Sequence, residues 1–281
     1  MNITNNQLTA TINPKGAELI SLKSTSGKEY IWEGNPDFWG KHSPILFPIV
    51  GTLKNNQYHL GGKTYSLSRH GFARDIVFSV KETKADSVTF SLSSNKETLE
   101  NYPFDFVFEI IYTLDENSLI ISYEVFNKSE KIMFFSIGAH PAFALPGSFE
   151  DYAIRFDNDE NPEYQLLDND LLSSKTTFLP TENKQTKLQY SLFENDALIF
   201  KKLQSKSLSI LKKDNPLLKV HFGHFPYLGI WTKINAPFLC IEPWFGHSDT
   251  VDTHGDFMQK QGIESIEING NFNASFRIET F

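Results

Sequence analysis

The 281-residue sequence has one cysteine, Cys240, so no disulfide can close within the chain. That excludes a disulfide-built secreted scaffold and fits a reducing compartment. The N-terminus, Met1-Asn-Ile-Thr-Asn-Asn-Gln7, lacks a basic stretch followed by an apolar one, and no apolar run reaches membrane-spanning length. A cytoplasmic protein without membrane association is therefore expected. Basic blocks are also missing. The formal net charge is −8 and the 26 Lys and Arg residues are scattered, which argues against nucleic acid or anionic lipid as a partner. There is no Walker A run, no glycine pattern opening a dinucleotide-binding helix and no Gly-x-Ser-x-Gly turn. Low-complexity linkers and short repeats are absent, and helical signals are few: one turn each at Asn35–Trp39 and Lys96–Asn101.

What is abundant is aromatic. The 25 Phe and 10 Tyr residues favour pleated sheet, where rings pack on cross-strand neighbours. Alternation of period two recurs in Gln7–Ile12, Ser87–Leu92, Phe106–Tyr112 and Ser118–Val125, the mark of antiparallel strands with one buried face. Turn signals separate them, including Gly61-Gly62 inside the expected hairpin Tyr58–Tyr65. The polar stretch Asp157–Asn183 reads as strands and excursions rather than a linker. The expectation is one all-β domain over residues 1–281, a large sandwich of mostly antiparallel strands.

Four groups of residues stand out against this frame. Glu242 lies in the apolar run Pro237-Phe-Leu-Cys-Ile-Glu-Pro-Trp-Phe245. Strand alternation points it opposite to Ile241, and Pro243, with no backbone donor, is expected to end regular pairing. A carboxylate here is either an outward-facing strand-end residue or a costly buried one. Ser68-Arg-His-Gly-Phe-Ala-Arg74 places His70 between Arg69 and Arg74, whose charge would hold the imidazole neutral. Phe134-Phe-Ser-Ile-Gly-Ala-His-Pro-Ala-Phe143 delivers His140 to a strand end beside small residues, where it is either a core histidine or an acid–base group. Trp231 and Trp244 are candidate aromatic walls for a sugar ring, or simply core. His221 and His224 have ligand-like spacing but no second cluster, so no metal is expected. Cys240 shares a sheet face with Glu242 and has no histidine nearby in sequence, which argues against thiol catalysis.

Taken together, Arg69-His-Gly-Phe-Ala-Arg74, His140-Pro-Ala-Phe143 and Cys240-Ile-Glu-Pro-Trp244 resemble the aldose 1-epimerase (galactose mutarotase-like) superfamily. Gly40-Lys-His-Ser-Pro-Ile-Leu-Phe-Pro-Ile-Val-Gly51 is similar to its LacX-type branch. The resemblance runs from Lys15-Gly-Ala-Glu-Leu19 to the last strands. It implies a galactose mutarotase-like β-supersandwich, no cofactor or metal, and acid–base interconversion of sugar anomers. It further implies Glu242 as base at the anomeric hydroxyl, His140 as acid at the ring oxygen, facing each other across the sugar, and His70 bonding the ring oxygen or a neighbouring hydroxyl.

The region matching the family's Asn-Arg-Ile motif reads Gly51-Thr-Leu-Lys-Asn-Asn56 and lacks its arginine, so Lys41 or Arg74 is expected to supply the cation. Asp196 matches the family's substrate-binding aspartate, and His247 and Asp249 are further candidates for reaching the sugar. The His-Gly-Phe-Ala-Arg wording is also similar to the hexose-6-phosphate epimerase branch, where Arg69, Arg74 and Lys41 would bind phosphate. The implied partner is thus a monosaccharide or a sugar phosphate, bound by a monomer or homodimer. The alternatives are a non-catalytic carbohydrate-binding protein and, less well supported, a polysaccharide lyase or hydrolase on a related sandwich. For Glu242, burial should raise the pKa while nearby cations oppose it.

Overall fold

The computed structural model describes residues 1–281. Two large antiparallel sheets dominate. One has nine strands, running from Gln185–Lys187 through Tyr152–Phe156, Ser207–Lys212, Asn215–His221, Asn271–Thr280, Ser118–Asn127, Phe106–Asp115 and Ser87–Ser93 to the edge strand Ser79–Thr83. The other has eight, with Phe238–Phe245 near its middle. A three-stranded sheet opens the chain. The only α-helix is Lys96–Asn101, started by an Asn95 side chain that accepts from the Thr98 amide. No helix is long and apolar enough to cross a membrane.

The four alternating segments are all strands: Leu8–Asn13, Ser87–Ser93, Phe106–Asp115 and Ser118–Asn127. Ser87–Ser93 shows alternating burial, as one-faced strands should. The aromatic excess is spent on the interior. Phe47 packs against Phe106, Phe108 and Phe135, tying a loop of the cavity side to the nine-stranded sheet. The hairpin at Gln57–Leu60 and Lys63–Ser66 turns on Gly61-Gly62.

One expectation fails in an informative way. Pro243 does not end its strand, which runs on to Phe245 and pairs through Pro243 to Trp244 against Tyr227–Trp231. Its missing donor falls on the other edge. There, Ile137–Ala139 pairs with the end of the strand through Gly138↔Trp244, and Ala142–Ala144 pairs with its start through Ala142↔Cys240. Between them the ladder is interrupted at His140-Pro141, beside Glu242 and Pro243. Two prolines in adjacent strands cannot complete the ladder, because each lacks an N–H. The interruption frees His140 from the pleat at the level of Glu242.

Candidate active site

Along Phe238–Phe245, Leu239 and Ile241 enter the main core, whereas Cys240, Glu242 and Trp244 occupy the opposite face. Glu242 is therefore aimed away from the main hydrophobic layer, yet it is only 1% exposed. The outward-facing reading is excluded. It opens onto a cavity of about 540 Å³ lined also by Trp39, Arg69, His70, His140, Asp196 and Trp231.

His140 Nε2 lies 3.3 Å from Glu242 Oε2. Both residues are buried, and neither His140 Nδ1 nor Glu242 Oε2 has a well-aligned hydrogen-bond partner. By distance they form an ion pair, but their surroundings favour neutral forms. Burial raises the Glu242 pKa well above its ordinary 4.5; Asp196 reinforces this, while Arg69 and the Trp244 indole oppose it. Burial lowers His140 to about 3, with Arg69 and Arg74 adding to the effect. Burial thus outweighs the neighbouring cations and pushes both groups toward their neutral forms, a carboxylic acid and an uncharged imidazole.

His70 lies in a left-handed conformation, φ 68°, in the turn that follows Ser68. Its ring meets that of His140 edge-on at 5.7 Å. Burial is the first cause of its strongly lowered pKa, followed by His140, Arg69 and Arg74, so the flanking arginines act in the expected direction but secondarily. The backbone N–H of Gly51 donates to Nδ1 at 3.0 Å. A neutral imidazole accepts through one nitrogen and donates through the other, so this fixed donor assigns the proton to Nε2. Arg69 Nε also donates toward that same Nε2 at 3.3 Å, but a neutral imidazole cannot accept at both nitrogens; the shorter, backbone-fixed Gly51 contact takes precedence, and the partly exposed Arg69 side chain is the one free to turn aside. Nε2–H is then free to face the cavity, which the Arg69 guanidinium also lines.

The aromatic wall differs from the one expected. Trp231 contributes an edge, 5.7 Å from the His140 ring. Trp39, which the sequence offered only as part of a turn, stacks on His140 at 4.9 Å and meets Trp231 at 5.6 Å. Trp244 is 4% exposed and forms floor rather than wall. It fits because Gly138 and Gly229 flank it; a Cβ on either would lie within 2.5 Å of the indole.

The charged candidates divide. Arg69 Nη1 pairs with Asp170 at 3.1 Å and Nη2 with Asp196 at 3.7 Å. Arg74 lines the cavity but donates to the Arg69 carbonyl at 2.7 Å and lies 3.7 Å from Asp75. Lys41 is not brought to the cavity; it pairs with Asp75 at 3.6 Å. The cation nearest His70 is thus Arg69, while Arg74 also lines the cavity. His247 is fully buried outside the cavity, its ring edge-on to Tyr227 at 4.8 Å, and Asp249 is likewise behind the lining. Lys233, Glu194 and Ser248 line the cavity without having been singled out. Cys240 does have a histidine neighbour after all: its sulfur, a His140 nitrogen and a Glu242 oxygen lie within 4.8 Å of one another. Burial, with the Glu242 charge, pushes the thiol pKa well up, so it remains a spectator.

The model of the family described as aldose 1-epimerase matches residues 1–263. The plasmid-borne protein LacX of Lactococcus lactis subsp. lactis is 36% identical over 283 residues, covering 94% of this chain and 93% of that protein. A galactose mutarotase related enzyme from Lactobacillus acidophilus superposes with a TM-score of 0.96 at 36% identity, over 100% of this chain and 97% of that one. A galactose mutarotase-like protein from Lactobacillus casei gives 0.94 at 30% identity, over 100% and 99%.

Proposed function

The chain belongs to the aldose 1-epimerase family, as an isomerase acting on carbohydrates, and from that premise we propose that Glu242 and His140 open and reclose the ring of a free aldose. The observation that carries the reading is the 3.3 Å contact between Glu242 and His140 at the base of an aromatic-walled cavity. In ring opening, Glu242 takes the proton from the anomeric hydroxyl and His140 gives one to the ring oxygen. The C1–O5 bond breaks and C1 becomes an aldehyde. Rotation about C1–C2 presents the other face, and reclosure reverses both transfers.

Acid and base need not face each other across the sugar, because the anomeric and ring oxygens are both bonded to C1. A neighbouring pair reaches both. Ring opening converts imidazolium and carboxylate into imidazole and carboxylic acid, the form that burial favours at rest. The proton count on the pair never changes, so the pair can reset by transfer across its own contact. His70 Nε2–H and the Arg69 guanidinium supply donors for the ring oxygen or a neighbouring hydroxyl. Trp39 and Trp231 line the cavity and offer apolar surface to the ring.

This predicts an unusual pH dependence. An isolated histidine acid would impose a rate limb between about pH 5 and 8. With His140 lowered to about 3 by burial, it should not titrate in that interval, and kcat should show no limb with the midpoint of an ordinary histidine. Such a limb contradicts this account of His140.

The reading favours a neutral aldose over its 6-phosphate. Arg69 is paired with Asp170 and Asp196, Arg74 lies beside Asp75, and Lys41 is off the cavity. Glu194 and Asp196 add negative charge to the lining. Polarimetry on a panel of aldoses and their 6-phosphates should show catalysed exchange of the free sugars at a kcat/KM at least about 10-fold higher, the worth of one unfavourable charge contact. The reverse preference assigns the chain to sugar-phosphate work, with Lys233, a cavity-lining lysine outside any ion pair, as the place to look. The single buried cysteine supports action in the cytoplasm.

A further inference from the structure

We propose that the buried Asp249–Lys260 ion pair is a positioning device for His70, clamping the turn at Gly51–Lys54 so that the Gly51 N–H holds Nδ1 and Nε2–H faces the cavity. The inference rests on the reading of His70 as an oxygen-binding donor.

Neither charge reaches the cavity, and both are almost fully enclosed: Asp249 is 4% exposed and Lys260 6%. Lys260 Nζ lies 3.1 Å from Asp249 Oδ1 and donates to the His247 carbonyl at 2.6 Å. The other carboxylate oxygen, Oδ2, accepts from the Lys54 amide at 2.9 Å. The Asp249 amide donates to the Thr52 carbonyl at 2.8 Å, and the Thr52 amide donates to Ser248 Oγ at 3.0 Å. The turn is thus bonded to residues 248 and 249 at three points. Its Gly51 end is then bonded to His70 twice: the His70 amide donates to the Gly51 carbonyl at 2.8 Å, and the Gly51 amide donates to the ring at 3.0 Å. There is no slack between the two sides, since a Cβ on Gly51 would lie 2.2 Å from Ser248 Oγ.

A buried ion pair is weak support for stability as such, because desolvating two charges offsets most of their attraction. What this one does supply is direction. Its carboxylate fixes an amide three residues from the one that selects the His70 tautomer. Without the clamp, Gly51 can withdraw, Nδ1 loses its donor, and the imidazole can take up the tautomer that presents a lone pair where a donor is needed.

The test uses two variants that avoid leaving one charge buried alone. Asp249→Asn/Lys260→Met removes both charges. Lys54→Pro deletes one clamping amide at a site that accepts proline, since Leu53 before it is extended, φ −85° and ψ 145°. Each is expected to lower kcat about 10- to 100-fold, the scale of a small misplacement of a catalytic group, with KM changed less than about 3-fold. The ¹⁵N spectrum of His70 should change from a single Nε2–H tautomer to a mixture, which a merely structural role would not cause. His70→Ala is measured alongside. If His70→Ala is slow while both variants keep wild-type kcat and a single tautomer, the positioning role is overturned. If His70→Ala is itself fully active, the reading of His70 fails first and the proposal falls with it.

Discussion

Glu242→Gln is expected to abolish catalysed anomer exchange, lowering kcat by about 10²–10⁴-fold in polarimetry, the usual worth of a positioned acid–base group. Glutamine keeps the size and the hydrogen-bonding capacity of the side chain but cannot hold the transferred proton. The fold should not suffer. Because the pKa of Glu242 is raised in the folded chain, its contribution to stability is complete below its ordinary value of 4.5 and is lost as the pH rises toward the folded value. At pH 7 the wild type therefore carries a cost that glutamine does not, and the variant's melting temperature should equal or exceed that of the wild type. Loss of activity with retained stability is the signature of a residue kept for chemistry. A variant that is active, or inactive only because it unfolds, contradicts the assignment.

His140→Asn carries the second large effect, again about 10²–10⁴-fold in kcat. Asparagine can donate to the ring oxygen but cannot deliver a proton to it, so KM should move far less than kcat. The sign of the stability change differs from that of Glu242. His140 is held at about 3, well below its ordinary 6.5, so its contribution to stability is present above pH 6.5 and is lost as the pH falls toward the folded value. His247, also lowered to about 3 by burial and by Lys260 and Lys201, acts in the same direction. Thermal melts from pH 7 down to about pH 5 should show the wild type losing more stability than His140→Asn, which has lost one of the residues that must charge on unfolding.

The strands could be read from alternation because each buries one face, and the period survives in the residues themselves. The pair at the centre of the site was partly readable for a different reason: an acid inside an apolar run is costly, so Glu242 announced itself. Its partner's position was not readable. His140 and Glu242 meet because Pro141 and Pro243 interrupt the same ladder from two strands, and pairing across 100 residues leaves no local trace. Side-chain direction was the other blind spot. Lys41 and His247 adjoin the right motifs but turn toward Asp75 and Tyr227. Trp39 reaches His140 from a turn whose only local signal was two aromatic residues, Phe38 and Trp39, after Asn35-Pro36. Asp249 and Lys260 lie 11 residues apart, and nothing in either stretch marks them as a buried pair.

Exchange NMR on a free aldose, with the wild-type protein and without it, asks most directly whether this site turns anomers over or merely holds them. Catalysis predicts cross-peaks between the α and β anomeric protons whose intensity grows in proportion to added protein. Saturation transfer from protein to sugar, with anomer exchange no faster than in buffer, would identify a carbohydrate-binding protein instead and contradict the assignment of Glu242 and His140 as base and acid.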